Sequence, residues 1–340
     1  MNELNNVETT PPSARVVAIQ RGRLVFAGKD VTVTVILALV VISLAIIANP
    51  LTNNVFFTGN NLTNFMRQMT TTGLLSLGML FVILTGGIDL SVGSVVGFSA
   101  IVAAGCTVRL GLPVWVSFLL GITAGTLWGL ISGSIVAWFK LAPFVVTLAM
   151  MTTIRGLTYV YSEQSINVPT FLPNSNFTAL GSAVVAGIPI STIIMVVFFL
   201  FGVVFLNRTP LGRSTIAIGG NRETVRLAGI SVEKGITIAY IISGICSGVG
   251  GVLLASRLGN IQPSLGGSYE MDAIAACVIG GANLAGGKGT IQGTVMGVLI
   301  LAVMNNLLSL RNVESYWQMV LKGVIIIAVV LLHSRSQKQK

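Results

Sequence analysis

Apolar runs of helical length alternate with short polar breaks along almost the whole chain. No charged residue falls between Asp30 and Arg67, between Arg109 and Lys140, or between Glu163 and Arg208. A hydrocarbon core of about 30 Å takes roughly 20 apolar residues of helix, so most of these gaps hold one or two membrane spans. The pattern predicts about ten spans, at residues 31–48, 66–84, 92–108, 114–138, 141–160, 190–206, 236–256, 270–282, 292–310 and 318–333. The expected fold class is an all-α polytopic membrane protein. Some of its helices are expected to be discontinuous, because the run 270–282 is too short to span.

Composition and charge sharpen this picture. Of 340 residues, 53% are hydrophobic and only 9% charged, with mean hydropathy +0.88, against about 25% charged in an average soluble domain. A net charge of +10 would fit nucleic acid only as a cluster on a soluble face. Here the basic residues lie between apolar runs, and no nucleic-acid partner is expected. With the chain started inside, Arg15, Arg21, Arg23, Lys29, Lys140, Arg208, Arg213, Arg222, Arg226, Lys234, Lys288, Arg335, Lys338 and Lys340 all fall on the cytoplasmic side. The outer loops 49–65 and 161–188 contain neither Lys nor Arg, which is the positive-inside asymmetry. Both termini are therefore expected in the cytoplasm. The chain divides into a disordered tail over 1–29, a membrane region over 30–335 with a cytoplasmic loop at 207–235, and a basic tail over 336–340. The N-terminus lacks the basic start and short apolar core of a cleavable signal peptide. Cys106, Cys246 and Cys277 sit singly in apolar runs and read as small core residues, with neither metal nor disulfide implied.

Two glycine patterns bear on packing. Gly121, Gly125, Gly129 and Gly133 recur every fourth residue, a smooth stripe that lets another helix approach closely, within the chain or between subunits. GGIDLSVGS at 86–94 is echoed by GGANLAGGK at 280–288. Each follows an apolar run and sets two glycines, Gly86 and Gly87 or Gly280 and Gly281, before an Asp or Asn and a Leu. Matching breaks of this kind line transport pathways, since irregular backbone at membrane depth needs protein or water beside it. Chance similarity of glycine-rich turns is the alternative. Asp89 is expected near the turn between its two spans, accepting backbone N–H groups at the start of the next helix.

Catalytic chemistry is not indicated. GGKGT at 286–290 departs from the phosphate-binding loop, because Ala282 takes the place of its first glycine and Gly289 that of its Ser or Thr. His333, the only histidine, ends the last run. The chain is not expected to be an enzyme or to carry a cofactor. In the loop at 208–235, Asn221 can cap a short helix ended by Gly229. Such a helix can lie on lipid headgroups or meet a soluble partner. Arg67, Arg109, Arg257, Arg311 and Lys322 fall near outer span ends and can snorkel. Arg155 and Asp272 lie deeper, where a charge costs about 2.5 to 3.5 kcal/mol and needs a partner or a polar conduit.

ILTGGIDLSVGS (83–94), APFVVTLAMMTTIRGLTYVYS (142–162), LGRSTIAIGGNRETVRLAGISV (211–232) and YEMDAIAACVIGGANLAGGKGTIQGTVMGVLILAVMNN (269–306) resemble the ribose-type permease subunits of bacterial ATP-binding-cassette importers. The resemblance covers about residues 30–335. It implies a multi-pass bacterial inner-membrane permease that pairs with a second copy or a close relative. Its other implied partners are a cytoplasmic ATPase with two cassettes, which holds ATP and Mg, and a periplasmic or lipid-anchored binding protein that delivers a monosaccharide. Asn221, Arg222, Glu223, Arg226 and Gly229 match the family's coupling segment. Asn283 stands where many relatives carry Thr or Ser. A sugar needs hydrogen-bonding groups rather than fixed charge, which makes Ser91, Asn283, Gln292, Asn305 and Asn306 the pathway candidates. Two rivals stay open: a stand-alone transporter or channel relaying ions through Asp89, Asp272 and Arg155, and the same importer class with a polyol, nucleoside or other sugar-derived cargo.

Overall fold

A computed structural model describes residues 28–163, 176–259 and 261–338, with side chains over 33–325 and at 327 where the backbone is described. The expected tail, apart from its last two residues, the side chain of His333 and residues 339–340 lie outside the described residues. The helices are α1 (Gly28–Leu51), α2 (Gly59–Leu84), α3 (Val92–Val108), α4 (Val114–Trp138), α5 (Pro143–Glu163), α6 (Asn176–Ser182), α7 (Ile190–Arg208), α8 (Pro210–Gly220), α9 (Arg222–Leu227), α10 (Val232–Leu258), α11 (Tyr269–Ile279), α12 (Ile291–Leu310) and α13 (Ser315–Lys338). A two-stranded hairpin, β1 (Val184–Val185) with β2 (Ile188–Pro189), turns through Ala186 and Gly187, both at positive φ. Seven helices among the described residues are long and apolar enough to cross a membrane. The protein is an all-α polytopic membrane protein.

Helix ends run beyond the expected spans. α2 begins at Gly59 rather than 66, and α13 continues through Lys338, where a tail was expected from 336. Apolarity marks the hydrocarbon-crossing part of a helix, whereas hydrogen bonding continues into the polar zone. α11 is an 11-residue half-helix, too short to cross alone.

α10 is the axis of the bundle, packed against α4, α2 and α3. Apolar on every side, it suits a buried position. The glycine stripe of α4 faces it within the same chain. A Cβ added at Gly125 would lie 2.8 Å from Gly248 Cα, and one at Gly133 would lie 3.1 Å from Thr237 Cα. Gly129 abuts the Tyr240 carbonyl and Gly244, and Gly121 reaches across to the Ser99 carbonyl of α3. Gly244 and Gly248 repeat the four-residue spacing on α10, so two smooth faces meet and backbone touches backbone.

Four of the five charges expected to snorkel, all but Arg257, have hydrogen-bond or ion-pair partners among the described residues. Arg67 donates to the Ser182 carbonyl at 2.6 Å, Arg311 to that of Leu51 at 3.1 Å, and Arg109 to that of Tyr161 at 3.1 Å while covering the Tyr161 ring. Lys322 departs furthest from expectation: its ammonium lies 2.9 Å from the Asp272 carboxylate, with side chains 22% and 8% exposed. This pair ties α13 to the half-helix α11, and each charge answers the desolvation of the other. Lys322→Met is expected to lower thermal stability by about 3 kcal/mol because it leaves Asp272 enclosed and unpaired. Adding Asp272→Asn should recover most of the loss, read as the melting temperature in detergent. A double variant no more stable than the single one would refute the pairing.

Candidate functional site

α2 ends in a Schellman motif. Gly86, at φ 80°, donates its N–H to the Ile83 carbonyl, and Gly87 donates to that of Val82. Only a residue without Cβ enters the left-handed region freely, which is why glycine stands there. The chain then climbs beside α10 before α3 begins. Gly87 lies against the Tyr240 hydroxyl, and the Ile88 carbonyl accepts the Thr147 hydroxyl at 3.0 Å. Asp89 accepts Ser91 N–H at 3.0 Å, Ser91 Oγ at 2.6 Å and Ser243 Oγ at 2.9 Å, and is 3% exposed. Ser243 lies roughly 16 Å along α10 from Val232, at 1.5 Å per residue. Asp89 therefore lies in the expected turn between α2 and α3, buried against the middle of α10. It takes a single N–H, that of Ser91 just ahead of α3, and two hydroxyls complete its shell.

The echo at 280–288 also begins at a helix end of this kind, with the positive φ on its second glycine instead of its first. Gly281, at φ 88°, donates to the Val278 carbonyl and Ala282 to that of Cys277, a second Schellman end. Asn283 Oδ1 then accepts Ala285 N–H at 3.1 Å, two residues ahead, as Asp89 accepts that of Ser91. Gly280 packs on the Gly293 backbone of α12, whose first turn Thr290 caps through Gly293 N–H at 3.1 Å.

The two loops meet the polar segment of α8 and α9. Gly287 N–H donates to the Leu84 carbonyl at 3.0 Å. Gly219, at the end of α8, touches both the Leu84 carbonyl and Gly287 N–H, and Gly286 packs on Gly86 and Gly219. Arg222 reaches back to the Thr85 carbonyl at 3.2 Å. Asn221 caps α9 by accepting Thr224 N–H at 3.0 Å, and Gly229, at φ 76°, ends it. Val225 is the buried anchor of α9, in a cluster with Ile218, Val232, Ile236 and Tyr240. Glu223 and Arg226 pair at 3.3 Å on the outer face, Arg226 also reaches Glu233 at 3.3 Å, and Leu227 is 82% exposed.

The structure thus brings Arg222, expected in the coupling segment, to Thr85 and Gly86 of the first loop, while Gly287 of the second loop joins Leu84 and the Gly219–Gly220 pair just before Asn221. It does not bring the five pathway candidates together. Ser91 is on Asp89, Asn283 is inside its own turn, and Gln292 opens α12. Asn306 is buried at the other end of α12, where its amide exchanges two 3.0 Å hydrogen bonds with Asn61. Its neighbour Asn305 has a buried Oδ1 without a partner. The relay residues are also separate. Asp89 is on serines, Asp272 on Lys322, and Arg155 on the carbonyls of Pro263 and Leu265 at 2.9 and 2.7 Å. Ser243, Tyr240 and Gly219 complete the site and escape a reading of the sequence. The run SGICSGVGG at 243–251 carries the one available signal, glycines spaced to match α4.

Residues 61–330 match the family described as branched-chain amino acid transport system / permease component. The chain is 42% identical over 276 residues to the ribose import permease protein RbsC of Bacillus subtilis (strain 168), covering 81% of this chain and 85% of that one. It is 42% identical over 277 residues to RbsC of Haemophilus influenzae, at 81% and 85% coverage. It is 34% identical over 346 aligned residues to the xylose transport system permease protein XylH of Escherichia coli (strain K12), at 85% and 88% coverage. No solved structure matches. A bundle with seven helices long and apolar enough to cross a membrane among the described residues, and with α8 and α9 set against two glycine breaks, accompanies these matches, and the chain belongs to this family of transport-system permease components.

Proposed function

We propose that the chain is the membrane subunit of an ATP-driven importer and moves a monosaccharide inward across the bacterial inner membrane. The observation that carries the reading is the seating of the α8–α9 segment on both glycine loops, Arg222 of α9 on the first and Gly219 of α8 on the second. A soluble motor pressing on Leu227, Glu223 and Arg226 would push, through Arg222 and Gly219, on the two breaks that lead into α3 and α12. The partner ATPase, with two cassettes, holds ATP and Mg. A binding protein, periplasmic or lipid-anchored, delivers the sugar, and a second permease subunit completes the pathway. ATP biases the equilibrium only by its different affinity for the outward-open and inward-open states.

In this reading the chain crosses the membrane about ten times with both termini in the cytoplasm. The domain plan is a tail over 1–29, a membrane region over 30–335 with the coupling loop at 207–235, and a basic end. Ser91, Asn283, Gln292, Asn305 and Asn306 are candidates along the pathway, and Gly280 and Gly281 share the hinge role with Gly86, Gly87 and Asp89. A sugar is favoured over the amino acid of the family description because ribose and xylose permeases align over more than four-fifths of this chain. The separate partners of Asp89, Asp272 and Arg155 count against an ion relay.

Proteoliposomes decide between the two mechanisms. The importer reading expects D-ribose uptake only with the ATPase, ATP and the binding protein present. Uptake by the chain alone on an ion gradient would sink it. Charge reversal at Arg222, Glu223 and Arg226 together should remove at least about nine-tenths of the co-purifying ATPase, since rim charges set partner choice. Unchanged co-purification and coupled uptake would refute the coupling assignment.

A further inference from the structure

Between α10 and α11 the chain turns back into the bundle instead of running along its rim. Arg155 holds this segment at the Pro263 and Leu265 carbonyls. Gly97 and Gly93 of α3 admit the Leu265 and Gly266 carbonyls so closely that neither has room for a side chain. Irregular backbone at membrane depth persists only against protein or beside water. Here one side is pinned to α3 and α5, and the other opens into a depression of about 450 Å³. That size lies within the roughly 300–1,000 Å³ of small-molecule sites.

Its lining is selective in kind. Gln262, Ser264 and Tyr269 supply an amide, a hydroxyl and an aromatic ring, Leu265 supplies apolar surface, and Gly266 and Gly267 leave the backbone open. Gln262 and Ser264 are exposed, and among the described residues neither side chain has a hydrogen-bond partner. Among the described residues no charged side chain lines the depression. Glu270 and Asp272 occupy the first turn of α11 and already answer its positive end, which disfavours an anion. The groups left over fit a neutral ligand rich in hydroxyls, which meets amide and hydroxyl partners at its edges and a ring at its C–H face. A second cavity, of about 660 Å³ beside Leu112, Trp115 and Phe118, has a mainly apolar lining and offers no such set.

We propose that this depression is the site at which the permease receives the sugar from the binding protein, with Gln262 and Ser264 hydrogen-bonding its hydroxyls and Tyr269 packing against its ring. The proposal rests on the importer reading above and adds a site to it. The test uses the full complex in proteoliposomes, with D-ribose and D-xylose as probes. Gln262→Ala and Ser264→Ala should each lower initial uptake about 5-fold or more, because each removes a hydrogen bond the sugar needs. ATPase activity stimulated by the loaded binding protein should stay within about 2-fold, since the lost contact is with sugar. Ser264→Cys adds a direct readout, as Cys106, Cys246 and Cys277 are buried. A membrane-impermeant thiosulfonate added outside should modify it and stop uptake while ATP hydrolysis continues. Wild-type uptake in both alanine variants, or uptake that survives modification of Cys at 264, would overturn the site. If the wild-type complex carries neither pentose, the sugar reading fails and the site falls with it, a result plainly different from normal wild-type uptake with indifferent variants.

Discussion

Leucine at Gly129 is expected to leave no assembled protein to extract from the membrane. A Cβ there would contact the Tyr240 carbonyl and lie 3.0 Å from Gly244 Cα and 3.1 Å from Gly244 N. All three are backbone atoms of α10, which cannot rotate aside as a side chain can. The two helices would have to separate along a seam that runs from Gly121 to Gly133, roughly 18 Å at 1.5 Å per residue. Overpacking a well-packed core costs about 1–3 kcal/mol even where side chains can move, and more where they cannot. Since α10 also holds α2 and α3, the damage would spread through the bundle. A thiol-reactive dye follows it directly, because all three cysteines are buried. Any protein recovered should unfold at least about 10 °C lower, the scale of a loss of several kcal/mol. Gly156→Leu is the control, because a Cβ there meets nothing within 4 Å in the chain. Equal melting of both variants would refute the seam.

Asp89→Leu is the second large effect, and Asp89→Asn is its counterpart. Leucine removes the acceptor of Ser91 N–H, Ser91 Oγ and Ser243 Oγ in a place without water-facing alternatives. Each buried group left without a partner costs about 1–3 kcal/mol, enough together to prevent α3 from starting where it does. Transport per cell should fall below about a tenth of wild type, with less permease assembled. Asparagine keeps an Oδ1 for Ser91 and can donate its amide N–H to Ser243 Oγ, so transport should remain within about 3-fold. Normal assembly of Asp89→Asn with complete loss of transport would end the positioning role and give the charge itself a direct one.

The helices were legible because the bilayer imposes one simple demand, about 20 apolar residues per crossing. The spans expected at 92–108 and 114–138 are α3 and α4 to the residue. α9 was legible for a different reason: an Asn cap and a terminal glycine are local signals, complete within nine residues. α6 and the hairpin at 184–189 were missed, as was α8, although Thr209 as its cap, Pro210 in its first turn and Gly219–Gly220 at its end are signals of the same local kind. What the sequence does not show of α8 is its neighbours, α7, α10 and α2.

The site was legible in halves. Gly86, Gly87, Asp89, Gly280 and Gly281 announced themselves by an internal echo, and the echo extends to paired Schellman ends and paired side-chain turns. That these loops touch one another and Gly219 could not be read, because glycine carries no side chain whose pattern names its neighbour. Lys322 looked like a snorkelling residue, since position along a span says nothing about which helix faces it.

By itself the sequence determined that the chain lives in a bilayer, where most of its long helices run, and which family motifs it carries. Those properties follow from solvent transfer and local backbone preference, which act within 20 residues or fewer. The tertiary structure alone decided that the α4 stripe meets α10, that Asp89 rests on Ser243, that Lys322 answers Asp272, and that α8 and α9 between them touch both breaks. These are contacts between residues far apart in the chain, and in an apolar solvent they are set by close packing and by the need of each buried polar group for a partner.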